Sequence, residues 1–384
     1  MNKYFDSTAT SKPSQLAIET FVDVSVGKWY NPSSISYEGG GVAKELLREA
    51  REITAECIGA EPEQVIFTSG ATEGANWILQ RQISEGDNLI VSKAEHPAVY
   101  ETAIHVEEDR NIYLLNVCSD GCVAYEDLEE CLEYCYQDRR KTLVAIMDSN
   151  NEVGSFNDTR ILTELSHRYP NTEYFCDMTQ SFAHAISYDV KDLDVDYAIA
   201  SAQKFGGFKG TGFLYAKNPD RLTPFMYGGH QEYGKRPGTE HVAAIYASAK
   251  QFQKSCKNRR SEYEKIAELF NYLAYGLKEQ GWIINGSRDK CLPNIVSATY
   301  VGLGAQKLIY YLGMDGFSLS AGSACSSGED RPSRILKAMG MSDNEARGTI
   351  RISLDTSHTK QDIDYLLTAI HTHTGHLVGG KMIE

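Results

Sequence analysis

Short apolar runs alternate with helical stripes from about residue 40 to residue 214 of this 384-residue chain. The runs fall at 65–67, 89–91, 112–117, 143–147, 174–176, 197–199 and 212–215. Successive positions are apolar rather than every second one, which predicts strands covered on both faces, as in a mostly parallel sheet flanked by helices. Between the runs, Val42, Leu46, Leu47, Ala50, Ile53 and Cys57 form a helical stripe that Gly59 closes, and 159–168 also reads as helix. Seven strands separated by helices make βα units.

Past Thr239 the texture changes. A long charged helical pattern runs over 241–280, followed by strands at 282–285, 295–300 and 349–354 and helices near 305–312, 331–339 and 359–374. This is an α+β pattern, and the boundary between the two regions falls inside the long helix, near residue 250. No repeat, low-complexity tract or disordered linker interrupts either region.

Composition narrows the functional classes. Lys and Arg number 38 against 52 Asp and Glu, a net charge of −14. A field of that sign repels phosphate backbones and anionic lipid, so neither nucleic acid nor a membrane surface is expected as partner. No apolar stretch approaches the ~18 residues of a membrane span, and residues 1–13 lack the apolar core of a signal peptide, so the expected location is cytoplasmic. The nine cysteines are odd in number and scattered, as reduced thiols are. Cys118 with Cys122, and Cys131 with Cys135, miss the spacing of a zinc ribbon, while His371 and His373 would point apart on a helix. No metal site is expected.

Several strand ends carry chemistry. Residues 67–73, FTSGATE, leave a strand through small side chains and enter a helix, aiming backbone N–H groups and the Thr72 hydroxyl at one phosphate. The turn has neither the lysine of a P-loop nor the glycine spacing of a dinucleotide fold. Asp177 ends one strand and Lys204 follows another, so an acid and an amine can share the crevice where open α/β sheets bind ligands. Pyridoxal phosphate chemistry uses such a pair: the amine carries the cofactor, and the carboxylate keeps its pyridine nitrogen protonated. His96 and Asn151 follow two further strands, the first suited to lie over a ring and move protons, the second to donate to a cofactor oxygen. Cys325 sits in the small-residue stretch SAGSACSSG (320–328), an accessible nucleophile. Arg351 lies in the alternating strand near the C-terminus, its fork suited to a carboxylate.

Taken in order, TSGATE, EHPAV, NNEVG, CDMTQS, SAQKFGGFKGTG, GGHQEYGKRPGTE and SAGSACSSG resemble the NifS-like cysteine desulfurases of the class V aminotransferase family, from about Phe5 to Arg351. The resemblance implies the fold of fold-type I pyridoxal phosphate transferases, α/β in class. A large domain over 13–250 would hold a mostly parallel seven-stranded sheet, and 1–12 with 251–384 a smaller α+β domain carrying the Cys325 loop. It implies that Lys204 bonds the cofactor, Asp177 pairs with the ring nitrogen and His96 stacks on the ring. Ala71, Thr72 and Ser201 would bind phosphate, joined by Thr239 from the second subunit of a homodimer. Asn151, Gln180 and Gln203 would complete the cofactor shell, and Arg351 with Asn31 would hold the substrate carboxylate. The implied reaction converts L-cysteine to L-alanine, leaving a persulfide on Cys325 for a sulfur-acceptor protein. Alternatives within the fold are a lyase or aminotransferase acting on selenocysteine or cystine, or a non-catalytic binding protein.

The chain departs from the family pattern in four places. Gln203 replaces the histidine that usually precedes the lysine, Met178 a small residue, Phe208 a proline, and Tyr233 an arginine. Gln203 can donate and accept a hydrogen bond but carries no proton at neutral pH.

Overall fold

The computed structural model describes residues 3–322 and 332–379. Its centre is a seven-stranded sheet of β1 (Val65–Thr68), β2 (Asn88–Ser92), β3 (Asn111–Leu115), β4 (Thr142–Ala145), β5 (Thr172–Asp177), β6 (Tyr197–Ser201) and β7 (Gly212–Ala216). The order across the sheet is β1-β7-β6-β5-β4-β2-β3. Neighbours from β6 to β3 pair parallel, whereas β7 runs antiparallel to both β1 and β6. Both faces are covered. In β2, Ile90 joins one core with Val144, Tyr174 and Ala198, while Leu89 and Val91 join the opposite one with Leu143, Phe175 and Ile199. That two-sided burial is why the strands read as unbroken apolar runs.

Strand β3 corrects one expectation. It ends at Leu115 rather than at residue 117, and only Leu115 of its five residues is buried. As an edge strand it has one neighbour, so its apolar run is only half covered. The helix Gln15–Gly27 was not foreshadowed by periodicity: its β-branched residues leave Val22 and Val26 exposed, while Ala17 and Val24 are buried.

A four-stranded antiparallel sheet follows: β8 (Ile283–Ile284), β9 (Ile295–Thr299), β10 (Ser320–Ala321) and β11 (Thr349–Ser353), in the order β10-β11-β9-β8. The 38-residue helix Val242–Glu279 links the cores. Ile245, Ala249 and Phe252 pack under the large sheet, and Ile266, Leu269, Leu273 and Leu277 under the small one. The N-terminal residues belong with the small sheet. Phe5 is buried in its core, its N–H donates to Ser318 O and its carbonyl accepts from Ser353 N. Among the described residues no helix is long and apolar enough to cross a membrane.

Candidate active site

The carboxyl ends of β1, β2, β4, β5 and β6 open on one cleft of about 230 Å³, which Thr8, Ala9 and Arg351 close from the small-sheet side. Strands of a parallel sheet end together, and the turns that leave them are free of ladder hydrogen bonds, so side chains there can converge.

At β1, Gly70 takes φ 149°, a left-handed value that suits glycine, and hands the chain to the helix Ala71–Arg81. The Ala71 N–H donates to Ser201 Oγ at 2.8 Å, which ties the start of this helix to the end of β6. The approach depends on Gly212, which lies opposite Thr68 and Ser201 in the register. A Cβ there would stand 2.3 Å from Ala200 O and 2.7 Å from Gly70 Cα. A bare backbone at position 212 therefore lets the turn and Ser201 meet.

At β2, His96 caps the helix Pro97–His105, and its Nδ1 accepts from Ala98 N at 3.1 Å. In the neutral ring the hydrogen then sits on Nε2. Burial pushes this imidazole below its usual pKa; Asp177 opposes, while Lys204, Arg334 and Arg351 add to the depression. Beyond β4, the Asn150 side chain accepts from Glu152 N and Val153 N and donates to Ala94 O at 2.9 Å, fixing the turn that carries Asn151. Asp177 ends β5 buried, with Oδ1 accepting from Thr179 N. It sits opposite Ile199 of β6, the strand that leads to Lys204. The Lys204 Nζ donates to the carbonyls of Thr8 (2.9 Å) and Ala9 (2.7 Å).

Arg351 enters from β11, its side chain 2% exposed. It donates to Asn151 O at 2.9 Å and pairs with Asp6 at 2.8 Å. Its Nε is buried with no partner among the described residues, as are Asn151 Oδ1, Gln180 Oε1, Thr8 Oγ1 and Thr179 Oγ1. All five residues line the cleft. Buried polar atoms are ordinarily satisfied, so this concentration marks a place where a ligand supplies partners.

Ten residues singled out in the sequence thus meet here: Ala71, Thr72, His96, Asn151, Asp177, Gln180, Ser201, Gln203, Lys204 and Arg351. Asn31 and Thr239 do not. They line a separate cavity of about 450 Å³ with Trp29, Tyr30, Tyr37 and His241. Cys325 lies outside the described residues. Asp6, Glu152 and Thr179 were not anticipated as site residues. Asp6 was visible only as a charge inside the apolar and small-residue opening 5–10, and Glu152 only as a charge in NNEVG. Glu152 is buried, which pushes its carboxyl up to about 7 despite the Ser333 hydroxyl and the nearby Arg351 and Arg334.

The sequence model of the aminotransferase class-V family matches residues 3–366. The chain belongs to the class-V aminotransferase family. Within it, the chain is 32% identical over 381 residues to the cysteine desulfurase IscS of Clostridium botulinum strain Hall, covering 96% of this chain and 94% of the relative. Among solved structures it is similar to a NifS-like protein at a TM-score of 0.91 and 30% identity, covering 98% of this chain and 100% of that one. A structure titled SspA in complex with cysteine matches at 0.80 and 27% identity, over 92% and 99% of the two chains.

Members of this family carry pyridoxal phosphate, and the cleft fits that group on its own chemistry. It offers an anion cradle at the start of a helix, a buried carboxylate, an amine and unsatisfied side-chain amides on one wall.

Proposed function

We infer that the chain is a pyridoxal phosphate-dependent cysteine desulfurase that converts L-cysteine to L-alanine and leaves the sulfur as a persulfide on Cys325. The observation that carries this reading is the convergence of the Lys204 amine, the Asp177 carboxylate and the Arg351 guanidinium on one cleft. The relationship to cysteine desulfurases over nearly the whole chain supports it.

Bound pyridoxal phosphate supplies an electron sink for the bonds at the substrate's α-carbon. Lys204 would hold the cofactor covalently, Ala71, Thr72 and Ser201 would hold its phosphate, and Asp177 would pair with its ring nitrogen. Asn151, Gln180 and Gln203 complete the shell. His96, favoured in its neutral form by burial, would serve beside the cofactor as the group that moves protons through Nε2. Arg351 takes the substrate carboxylate, with Asp6 setting the plane of its fork. The Cys325 thiolate forms an S–S bond as the substrate's C–S bond breaks. The electron pair left on carbon takes a proton to become the methyl of alanine, so no outside oxidant or reductant is required.

The chain forms a cytoplasmic homodimer in which Thr239 of each copy reaches the other's phosphate site. Asn31 shares a cavity with Thr239, so its part at the substrate carboxylate rests on that same dimer. The two cores correspond to two domains, 13–250 and 1–12 with 251–384, and the persulfide passes to an acceptor protein.

Incubation of the cofactor-loaded protein with cysteine and a thiol should release alanine and sulfide in equal amounts, and Cys325→Ala should abolish sulfide. Full turnover by Cys325→Ala would instead make the protein a lyase of the same family.

A further inference from the structure

We propose that Arg334 is a positioning residue that fixes the turn carrying His96. The proposal rests on the reading of His96 as a group that moves protons, and it concerns a side chain more than 230 positions away in sequence.

Arg334 is the first residue of the short helix Arg334–Ala338, which Ser333 caps through Leu336 N. Ser333 also donates to Glu152, so this point of the chain is fastened to the NNEVG turn. The guanidinium reaches onward to the turn after β2, where it donates to the carbonyls of Lys93 and Glu95. Its Cζ stands 3.7 Å from the centroid of the Tyr100 ring, in the first turns of the helix that His96 caps. The Ala94 carbonyl between those two is taken by Asn150 Nδ2. Three successive carbonyls ahead of His96 are therefore each held by a side chain from another part of the fold, and the ring four residues beyond it is held by the same guanidinium.

A buried turn must place its carbonyls somewhere, and strand pairing is not available to one that leaves a sheet. The planar five-donor fork of arginine can serve two carbonyls and an aromatic face together, which a lysine ammonium cannot. The charge acts as well as the shape. The charged groups around the imidazole are Asp177 at the end of β5, Lys204 after β6, Arg351 on β11 and Arg334; the three cations favour the neutral ring against the one carboxylate.

The test uses the cofactor-loaded protein with Arg334→Gln, which removes fork and charge, and Arg334→Lys, which keeps the charge. Both should lower kcat for cysteine by roughly 10–100-fold through a misplaced imidazole, with KM changed less than about threefold. In spectra of histidine-labelled protein, with the His96 signal assigned by its loss in His96→Gln, the titration should move to higher pH in Arg334→Gln and stay in place in Arg334→Lys. Thermal melts identify a variant that has lost its fold. Wild-type kcat in a folded Arg334→Gln, or an unmoved His96 titration in that variant, would overturn the proposal. The titration is read on the protein itself, so absence of desulfurase activity in the parent would leave this outcome separately visible.

Discussion

The two walls of the cleft are held in different ways. On the large-sheet wall each functional side chain sits at the last residue of a buried strand or a few residues beyond it, next to a turn whose backbone is tied by side chains. Asn150 braces the turn ahead of His96, Ser201 takes the Ala71 N–H, and Asp177 holds the Thr179 N–H. Behind them Asp148 accepts from Ser149 and Thr159 at 2.9 and 2.6 Å and from Ser181. On the small-sheet wall Arg351 lies within a strand paired on both sides, so the ladder sets its place while one acid, 345 residues away, sets its charge balance. Redundant bracing tolerates the loss of one contact; a single buried pair does not.

Substitution of Lys204 should have the largest effect and the narrowest. Lys204→Ala removes the covalent anchor, and alanine production should fall by roughly 10³-fold or more. Its Nζ donates to two backbone carbonyls at the edge of the cleft rather than filling a core, so the melting temperature should change little. A variant that kept a tenth of the parental rate would end the assignment of the anchor to this wall.

On the opposite wall the effect should reach stability. Asp6→Asn leaves a buried guanidinium short of its counter-ion and should cost about 3 kcal/mol in denaturant unfolding. A loss no larger than that of an exposed pair such as Lys28–Asp23 would erase the contrast between the walls.

Glu152, which follows Asn151 on the large-sheet wall and feels the charge of Arg351, should sharpen the contrast through pH. Burial raises its folded pKa from 4.5 to about 7, so the folded state holds the proton more tightly than the unfolded chain. The resulting stabilisation is complete below about pH 4.5 and disappears as pH rises through 7. Glu152→Gln should therefore be more stable relative to the parent at pH 8 than at pH 5, by an amount of order 3 kcal/mol. Parallel stability curves for the two proteins would show that this carboxyl keeps its ordinary affinity for protons.

The smallest effect is expected at Gln203. Gln203→His places a titratable ring beside the cofactor and should alter kcat by less than about tenfold, while giving the bound cofactor's absorbance a new transition near pH 6.5. An unchanged spectrum between pH 5 and 8 would mean that the introduced ring does not couple to the cofactor.

How far each wall was legible in the sequence follows from the range of its contacts. Strands β1, β2, β4, β5, β6 and β7 are buried on both faces and appear as apolar runs, and the residues just past them were readable because strand ends in such a sheet point to one crevice. The family likeness pointed to Gln180 and Ser201, which line the cleft and which no periodicity marks, and to Thr239, which lines a separate cavity. The pairing of Asp6 with Arg351 joins opposite ends of the chain, and no local pattern encodes it. Glu152 looked like an ordinary turn acid because charge in a sequence does not disclose burial. Strand β3 read as two-sided for the converse reason: residues 112–115 are all apolar, but whether a strand lies at an edge is decided by the sheet order.

The Lys204 amine rests on the carbonyls of Thr8 and Ala9, and the chain that leads to them is stitched to Ser318, just ahead of β10, and to Ser353 of β11. For protein engineering this reverses the usual rule that leading residues are dispensable. Trimming the first dozen residues to aid crystallisation would disturb the floor beneath the reactive nitrogen.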